Sequence, residues 1–340
     1  MTEILTMTTY FAERQRSGDR FLAEALLDLF ADRGVATSVM LRGIASFGPA
    51  NVTRSDRSLS LSEDPPVTIA AVDTAERITA IADEASHLVG RGVITLERSR
   101  VLPAGLTETG DSVRLSLHIG RRHRVAGAPG YVAVCEVLHR RGFARADVYL
   151  GVDGTVGGQR RRARFFSRNA DVPLSIVGIG TGGQAAAALD ELQTMFPDAL
   201  FTIGPVTVCK DNGHTLADPA SAPGGFQKLV VHTSEASRYQ DQPIHRAVIQ
   251  RLKDSDHASG ATVLRAIWGF HGTEHPQGDR FLQVVRHVPV TTVILDTAPN
   301  IAATYRIIAE LTEREGLVSV ESLQGMLEIH AGQRLGTLDL

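Results

Sequence analysis

Cysteine, tryptophan and long apolar runs are what this sequence of 340 residues has least of. Cys135 and Cys209 are the two cysteines, without a CxxC or any metal-like spacing. Cys135 falls in a helical pattern and Cys209 ends an apolar strand-like run, so both read as buried reduced thiols. Aromatic residues make up 5%, which leaves Ala, Val, Ile and Leu to fill the cores. No window approaches 18 uninterrupted apolar residues, so nothing is expected to span a membrane. The opening stretch MTEILTMTTYFAER has an acid at position 3 and lacks the apolar centre of a signal peptide. A formal net charge of −3 gives no global reason to expect nucleic acid or an anionic membrane as partner. These absences point to a soluble, cytoplasmic protein. Its length fits two or three domains, and a hydrophobic share of 43% can fill their cores.

What the sequence does contain is one unit written three times. MLRGIASFG (Met40 to Gly48), VYLGVDGTVG (Val148 to Gly157) and VLRAIWGFHG (Val263 to Gly272) align on Gly43, Gly151 and Ala266. Ser46, Gly154 and Gly269 then coincide, followed by Phe47, Thr155 and Phe270. Downstream, PVTIAAVDT (from Pro66), PLSIVGIGT (from Pro173) and PVTTVILDT (from Pro289) each place Thr eight residues after Pro. The gap from the first landmark to that proline is 23, 22 and 23 residues.

Each copy orders its elements alike. A strand-like run comes first, then an amphipathic helix; in the first copy Phe21, Leu22, Ala25, Leu26 and Leu29 share a face and Gly34 offers a stop. The strand into the glycines, a long polar loop and the strand after proline follow. Thr74, Thr181 and Thr297 are N-cap residues for a second helix, and Thr181 with Gln184 has capping-box spacing. A short strand closes the unit. The order is βαββαβ, the ferredoxin-like arrangement of an α+β fold, three times over. The repeats run over 1–103, 112–210 and 226–329, with linkers at 104–111 and 211–225 and a polar tail at 330–340.

These motifs resemble the PII-like family known as domain of unknown function 190, a relative of the PII signalling proteins. The family pattern R-G-x-x-G-F-G stands here as Arg42-Gly43-Ile44-Ala45-Ser46-Phe47-Gly48, and P-V-x-I-x-x-V-D-T as Pro66 to Thr74. Copy three repeats them from Arg265 and from Pro289. Copy two departs, with Leu150 for the arginine and Gly180 for the aspartate. The resemblance implies trimers of ferredoxin-like subunits with ligand clefts between them, so three fused units are expected to form a monomeric intramolecular pseudo-trimer. It further implies a regulatory protein that binds a small anionic metabolite, an adenine nucleotide above all. A transporter or channel is the expected partner, and a ligand-free scaffold is the alternative.

The candidate ligand residues follow from the turns. Gly43, Ser46, Gly48, Gly151, Gly154, Gly269 and Gly272 could let backbone N–H groups approach an anion, or could form the turn and permit tight packing between repeats. Arg42 and Arg265 precede two of the turns and could clamp a phosphate, or could pair with an acid of the neighbouring repeat. Asp73 and Asp296 end their strands, where a carboxylate favours the helix N-terminus or recognises a ribose or amine. Arg160, Arg161, Arg162 and Arg164 form a basic loop suited to a partner protein or to plain solvation.

One motif tempts toward catalysis. His271 to His275 reads H-x-x-E-H, but Gly272 inside it and Pro276 after it disfavour the helix a zinc site needs. The glycines at 178, 180, 182 and 183 miss dinucleotide-fingerprint spacing. We therefore expect no catalytic residue, no metal and no enzyme.

Overall fold

The computed structural model describes residues 3–48, 54–55, 64–101, 111–162, 172–255, 258–278 and 288–340. Three repeated units of mixed α/β structure follow one another. The first comprises β1 (Glu3–Ala12), α1 (Leu22–Asp32), β2 (Thr37–Phe47), β3 (Pro66–Thr74), α2 (Ala75–Leu88) and β4 (Gly92–Val101). The second comprises β5 (Ser112–Gly120), α3 (Gly130–Arg140), β6 (Arg145–Leu150), β7 (Asp153–Val156), β8 (Pro173–Thr181), α4 (Gly182–Met195), β9 (Leu200–Pro205) and β10 (Thr207–Asp211). The third comprises β11 (Phe226–Ser234), α5 (Ile244–Lys253), β12 (Ala261–Arg265), β13 (Trp268–His271), β14 (Pro289–Thr297), α6 (Ala298–Leu311), β15 (Leu317–Leu323), β16 (Gly325–His330) and β17 (Gln333–Thr337).

Local chemistry sets the boundaries. Thr74 Oγ1 accepts from Arg77 N, and Thr181 and Gln184 form the full capping box. Thr297 makes no side-chain cap; a proline in the first turn of α6 removes a donor that would otherwise need one. Gly34, at φ +62°, leaves α1 through the left-handed conformation that glycine favours.

Within each unit the sheet is antiparallel. In the first, β1 lies between β3 and β4, and β2 pairs with the outer edge of β3. Both helices cover one face. Because side chains alternate across a strand, Leu5, Met7 and Phe11 of β1 point into a core with Leu26, Phe30, Ile78 and Ile81. The second and third units build equivalent cores around Phe143 and Phe196, and around Val248 and Ile308.

The units join through strand edges, and both sets of joins close into a ring. Thr37–Met40 of β2 pairs with β7, Arg145–Val148 of β6 pairs with β13, and Ala261–Leu264 of β12 returns to Gly43–Phe47 of β2. The fourth strands do likewise. The end of β4 pairs with β9, β10 with β15, and β16 with the start of β4. Edges that would template another chain are thus consumed within this one. The segment 330–340, expected as a polar tail, is not simply a tail: β17 folds back on β16 as a hairpin. Its side chains are exposed, which is why its sequence reads as polar loop.

The faces turned away from the helices meet in the interior and are partly charged. Thr6, Arg114 and Lys228 hold one position of the first strand, opposite Glu97, Gly204 and Glu321 of the fourth. Arg114 Nε donates to Glu321 Oε2 at 2.6 Å and its Nη2 to Glu97 Oε2 at 3.0 Å. Lys228 Nζ donates to Glu97 Oε2 at 2.5 Å and lies 3.1 Å from Glu321 Oε1. Two cations and two anions from three repeats cancel at the centre.

Candidate functional site

The inter-repeat joins define three related clefts, each between the second strands of neighbouring units. The cleft between repeats 3 and 1 holds a cavity of about 110 Å³. Repeat 1 supplies Phe11, Gln15, Ser46, Phe47 and Arg91, and repeat 3 supplies Ser259, Val293, Leu295, Ile329 and His330. The walls are apolar because β1, β14 and β16 turn Tyr10, Val293, Leu295 and Met326 toward one another, a cluster separate from the helix-side cores. Polar groups sit at intervals on this lining. Gln15 Nε2 donates to the Arg91 carbonyl at 2.5 Å and so fixes the loop that enters β4. Among the described residues the Arg91 guanidinium has no ion-pair partner, and His330 Nδ1 is buried without a hydrogen bond. Burial and then the charge of Asp296 push the Glu328 carboxyl, also on the lining, above its usual pKa.

The sequence candidates divide around this cavity. Ser46 and Gly48 line it. Arg42 and Arg265 do not. Arg42 pairs with Glu13, and Arg265 Nη1 lies 3.4 Å from Glu235 Oε1. Both glutamates directly follow the first strand of the same repeat, so these are equivalent pairs inside a unit rather than clamps or bridges to a neighbour. The bridge to a neighbour's first helix is made instead by the basic loop. Arg160 pairs with Asp28 of α1 and, at 2.7 Å, with Asp153; Arg162 reaches Glu24 of α1 at 2.9 Å. Arg161 is exposed, and Arg164 lies outside the described residues.

Asp73 and Asp296 are buried tethers. Asp73 accepts from Ala36 N at 2.8 Å and Thr74 N at 2.7 Å. Asp296 accepts from Ser259 N at 3.1 Å, Thr297 N at 2.7 Å and Asn300 Nδ2 at 2.7 Å. Each carboxylate holds the chain just before the second strand, Ala36 or Ser259, against the end of the third. In repeat 2, where Gly180 replaces the aspartate, Ala144 N donates to the Ile179 carbonyl instead.

The glycines answer to close packing between strands. A Cβ on Gly154 would stand 2.0 Å from the Ser38 carbonyl oxygen, and one on Gly269 2.2 Å from that of Ala146, each across a repeat boundary. Gly43 would meet Pro66 Cγ at 2.7 Å, and Gly151 the Pro173 carbonyl at 2.6 Å. Gly272 faces open space at φ +57° and serves the turn after β13. Between repeats 2 and 3, Arg145 Nε donates to both oxygens of Asp147, at 2.9 and 3.0 Å, and its Nη2 to the Thr233 carbonyl at 2.9 Å. Asp147 Oδ2 is 3.0 Å from His232 Nδ1. Burial raises the Asp147 pKa, but the Arg145 charge and the His232 contact outweigh it and hold the group at about 2.

The histidine motif is not helical. His271 ends β13 and its Nε2 lies 2.9 Å from Asp211 Oδ1, while His275 faces the His139 ring, with centroids 5.4 Å apart. Among the described residues no three His, Cys, Asp or Glu side chains gather as a metal set. Arg91, Gln15, Glu328 and His330 escaped the sequence reading. The usable signal was positional: Arg91, Asp198 and Glu315 each stand two residues before the residue paired with Tyr10, His118 and His232. Only the first copy is basic there.

Three fused antiparallel units that share clefts define a repeat protein whose variable chemistry lies between units. The family described as DUF190, Uncharacterized ACR, matches residues 4–101, 112–208 and 226–325, and the chain belongs to it as three tandem copies. A UPF0166 protein of Aquifex aeolicus (strain VF5) is 28% identical over 97 residues, which cover 28% of this chain and 89% of that protein. That relative is therefore about one repeat long. A crystal structure of an unknown protein from Galdieria sulphuraria aligns over 61% of this chain and 100% of its own, at 13% identity and a TM-score of 0.20. Among the described residues no helix is long and apolar enough to cross a membrane.

Proposed function

We propose that this chain is a PII-like regulatory protein rather than an enzyme. In this reading three ferredoxin-like units form a monomeric pseudo-trimer that binds a small anionic ligand, an adenine nucleotide first among candidates. Occupancy would be relayed to a protein partner, for which a transporter or channel is the first choice. The observation that carries the reading is the apolar cavity between repeats 3 and 1, where among the described residues Arg91 has no ion pair and His330 Nδ1 no hydrogen bond. A planar ring suits the apolar walls, Glu328 suits an exocyclic amine, and Arg91 with His330 suits a phosphate at the mouth. Arg160 and Arg162 are already engaged with α1, so a partner meeting the basic loop would find Arg161 exposed there.

The test is thermal unfolding against ATP, ADP, AMP, cyclic nucleotides and simple anions. A ligand at 100 times its Kd adds about 2.7 kcal/mol. At about 2.1 cal/mol/K of unfolding entropy per residue, the whole chain shifts by roughly 4 °C. A shift with one nucleotide, lost in Arg91→Ala, supports the reading. A flat panel refutes it and leaves a ligand-free scaffold.

A further inference from the structure

We infer that the chain is a single-site binder: the anion occupies the cleft between repeats 3 and 1 alone, and the cleft between repeats 2 and 3 carries its own internal substitute. This rests on the ligand-binding reading above and deepens it.

The three clefts are related position by position, so their differences can be read directly. The residue before Ala261 in the open cleft is Gly260; its counterpart between repeats 2 and 3, paired to β8 in the same register, is Arg145. Thr262 is matched by Asp147, and Tyr10 by His232. Where the open cleft has a glycine, a hydroxyl and an aromatic ring, the second has a guanidinium, a carboxylate and an imidazole bonded to one another. Arg145 is 2% and Asp147 1% exposed, so the pair fills the space and satisfies itself. A buried guanidinium whose Nε and Nη2 already bond to Asp147 and the Thr233 carbonyl is neutralised in place and offers no unpaired charge to an incoming anion.

The loop entering the fourth strand separates the clefts again. Arg91 faces the open cleft, and the matching residues are Asp198 in repeat 2 and Glu315 in repeat 3. Glu315 is also committed, accepting from Ser237 Oγ at 3.0 Å and Arg238 N at 3.1 Å. A carboxylate at either place repels an anion that Arg91 attracts. Between repeats 1 and 2, Thr155 Oγ1 reaches the Val35 carbonyl at 3.2 Å and Ser38 Oγ at 3.1 Å, and Arg160 straps the loop to Asp28. Two clefts thus hold neighbouring repeats together, and one is left to exchange ligand.

The test counts ligands on the full-length chain. Native mass spectrometry and isothermal titration with ATP, AMP and cyclic AMP, taken in turn, report adducts per chain and the shape of the isotherm. We expect one adduct and a one-site isotherm, weakened on the order of 10- to 100-fold by Arg91→Ala or, as a second variant, His330→Ala. Asp198→Ala, at an exposed position, should leave that affinity within twofold. Two or three specific adducts would overturn the single-site inference while leaving ligand binding intact. One adduct with unchanged affinity in both Arg91→Ala and His330→Ala would do the same, by moving the site elsewhere. No adduct with any probe would bring down the ligand-binding reading together with this inference.

Discussion

Replacing Lys228 by methionine tests how the centre of the protein is held together. Lys228 Nζ neutralises Glu97 and Glu321, and Arg114 neutralises the same two from the other side. Lys228, Glu97 and Glu321 are buried, at 10%, 5% and 7% side-chain exposure, and Arg114 is largely covered at 14%. Lys228→Met preserves the stem's packing but leaves two carboxylates to one guanidinium. Removing one partner of a buried pair typically costs about 3–5 kcal/mol. With about 2.1 cal/mol/K of unfolding entropy per residue over the 340-residue chain, that is a fall in Tm of roughly 4–7 °C. The figure assumes that the repeats unfold as one unit, as strand pairing across every boundary requires. Adding Glu97→Gln restores charge balance, so the double variant should recover part of the loss. Differential scanning calorimetry at neutral pH checks both. A single variant within 1 °C of wild type, or a double variant that loses the sum of both changes, would refute the claim that charge balance holds the centre. The cluster also sets an acid limit. Burial raises the Glu321 pKa, but Arg114 and Lys228 outweigh it and hold the group below its ordinary 4.5. Its contribution is therefore present above pH 4.5 and is lost as pH falls through the folded-state value.

His118 should give an earlier acid response: burial, and then the Arg114 charge, lower its pKa to about 4 from 6.5, so the folded state resists a proton that the unfolded chain accepts. On the order of 3 kcal/mol should be lost as pH falls from 6.5 to 4, and His118→Phe should flatten that slope in urea titrations; an unchanged slope refutes the assignment. Asp147, held at about 2 against an ordinary 3.8, contributes on the order of 2 kcal/mol that is present above pH 3.8 and disappears toward pH 2, a loss absent in Asp147→Asn. Gly269→Ala forces a Cβ to 2.2 Å from the Ala146 carbonyl of repeat 2 and should cost about 1–3 kcal/mol or more, whereas Gly272→Ala meets only its backbone strain of about 1–2 kcal/mol; equal losses on denaturation would contradict the packing account. Arg42→Ala and Arg265→Ala should each change stability by about 1 kcal/mol or less and leave nucleotide affinity untouched, because both arginines pair away from the cavity.

The repeat order was legible because its markers are local. Proline opens the third strand and threonine eight residues later takes the N-cap position of the second helix, its hydroxyl bonding there in repeats 1 and 2, and both placements need only neighbouring backbone. The clefts were legible in outline only. Gly154 and Gly269 show themselves as glycines, yet the Ser38 and Ala146 carbonyls that demand them lie more than a hundred residues away in sequence. Arg42 and Arg265 drew attention by standing next to the turns, but strand alternation and Glu13 and Glu235 decide where they point. Arg91 was hidden for the opposite reason. It sits in a short loop with no motif, and its cleft mate His330 belongs to a segment whose sequence reads as a tail.

Fusion explains why these positions could diverge at all. In a trimer of identical subunits, any side chain on the interior face appears three times. A lysine at the position of Lys228 with a glutamate at that of Glu321 would give three of each, packed around one axis. Here the position reads Thr6, Arg114 and Lys228, and its partner reads Glu97, Gly204 and Glu321. Repeat 1 gives up its cation and repeat 2 its anion, and Arg114 crosses from the second unit to satisfy the first and third. Repeat 3 carries one charge of each sign, so the cluster is neutral only when repeats 1 and 2 are both present to set Arg114 against Glu97. The same freedom applies at the clefts, where Arg91, Asp198 and Glu315 share one address. A substitution that closes one cleft with Arg145 and Asp147 need not close the other two. Covalent linkage thus lets two boundaries specialise in cohesion while the third keeps a cavity.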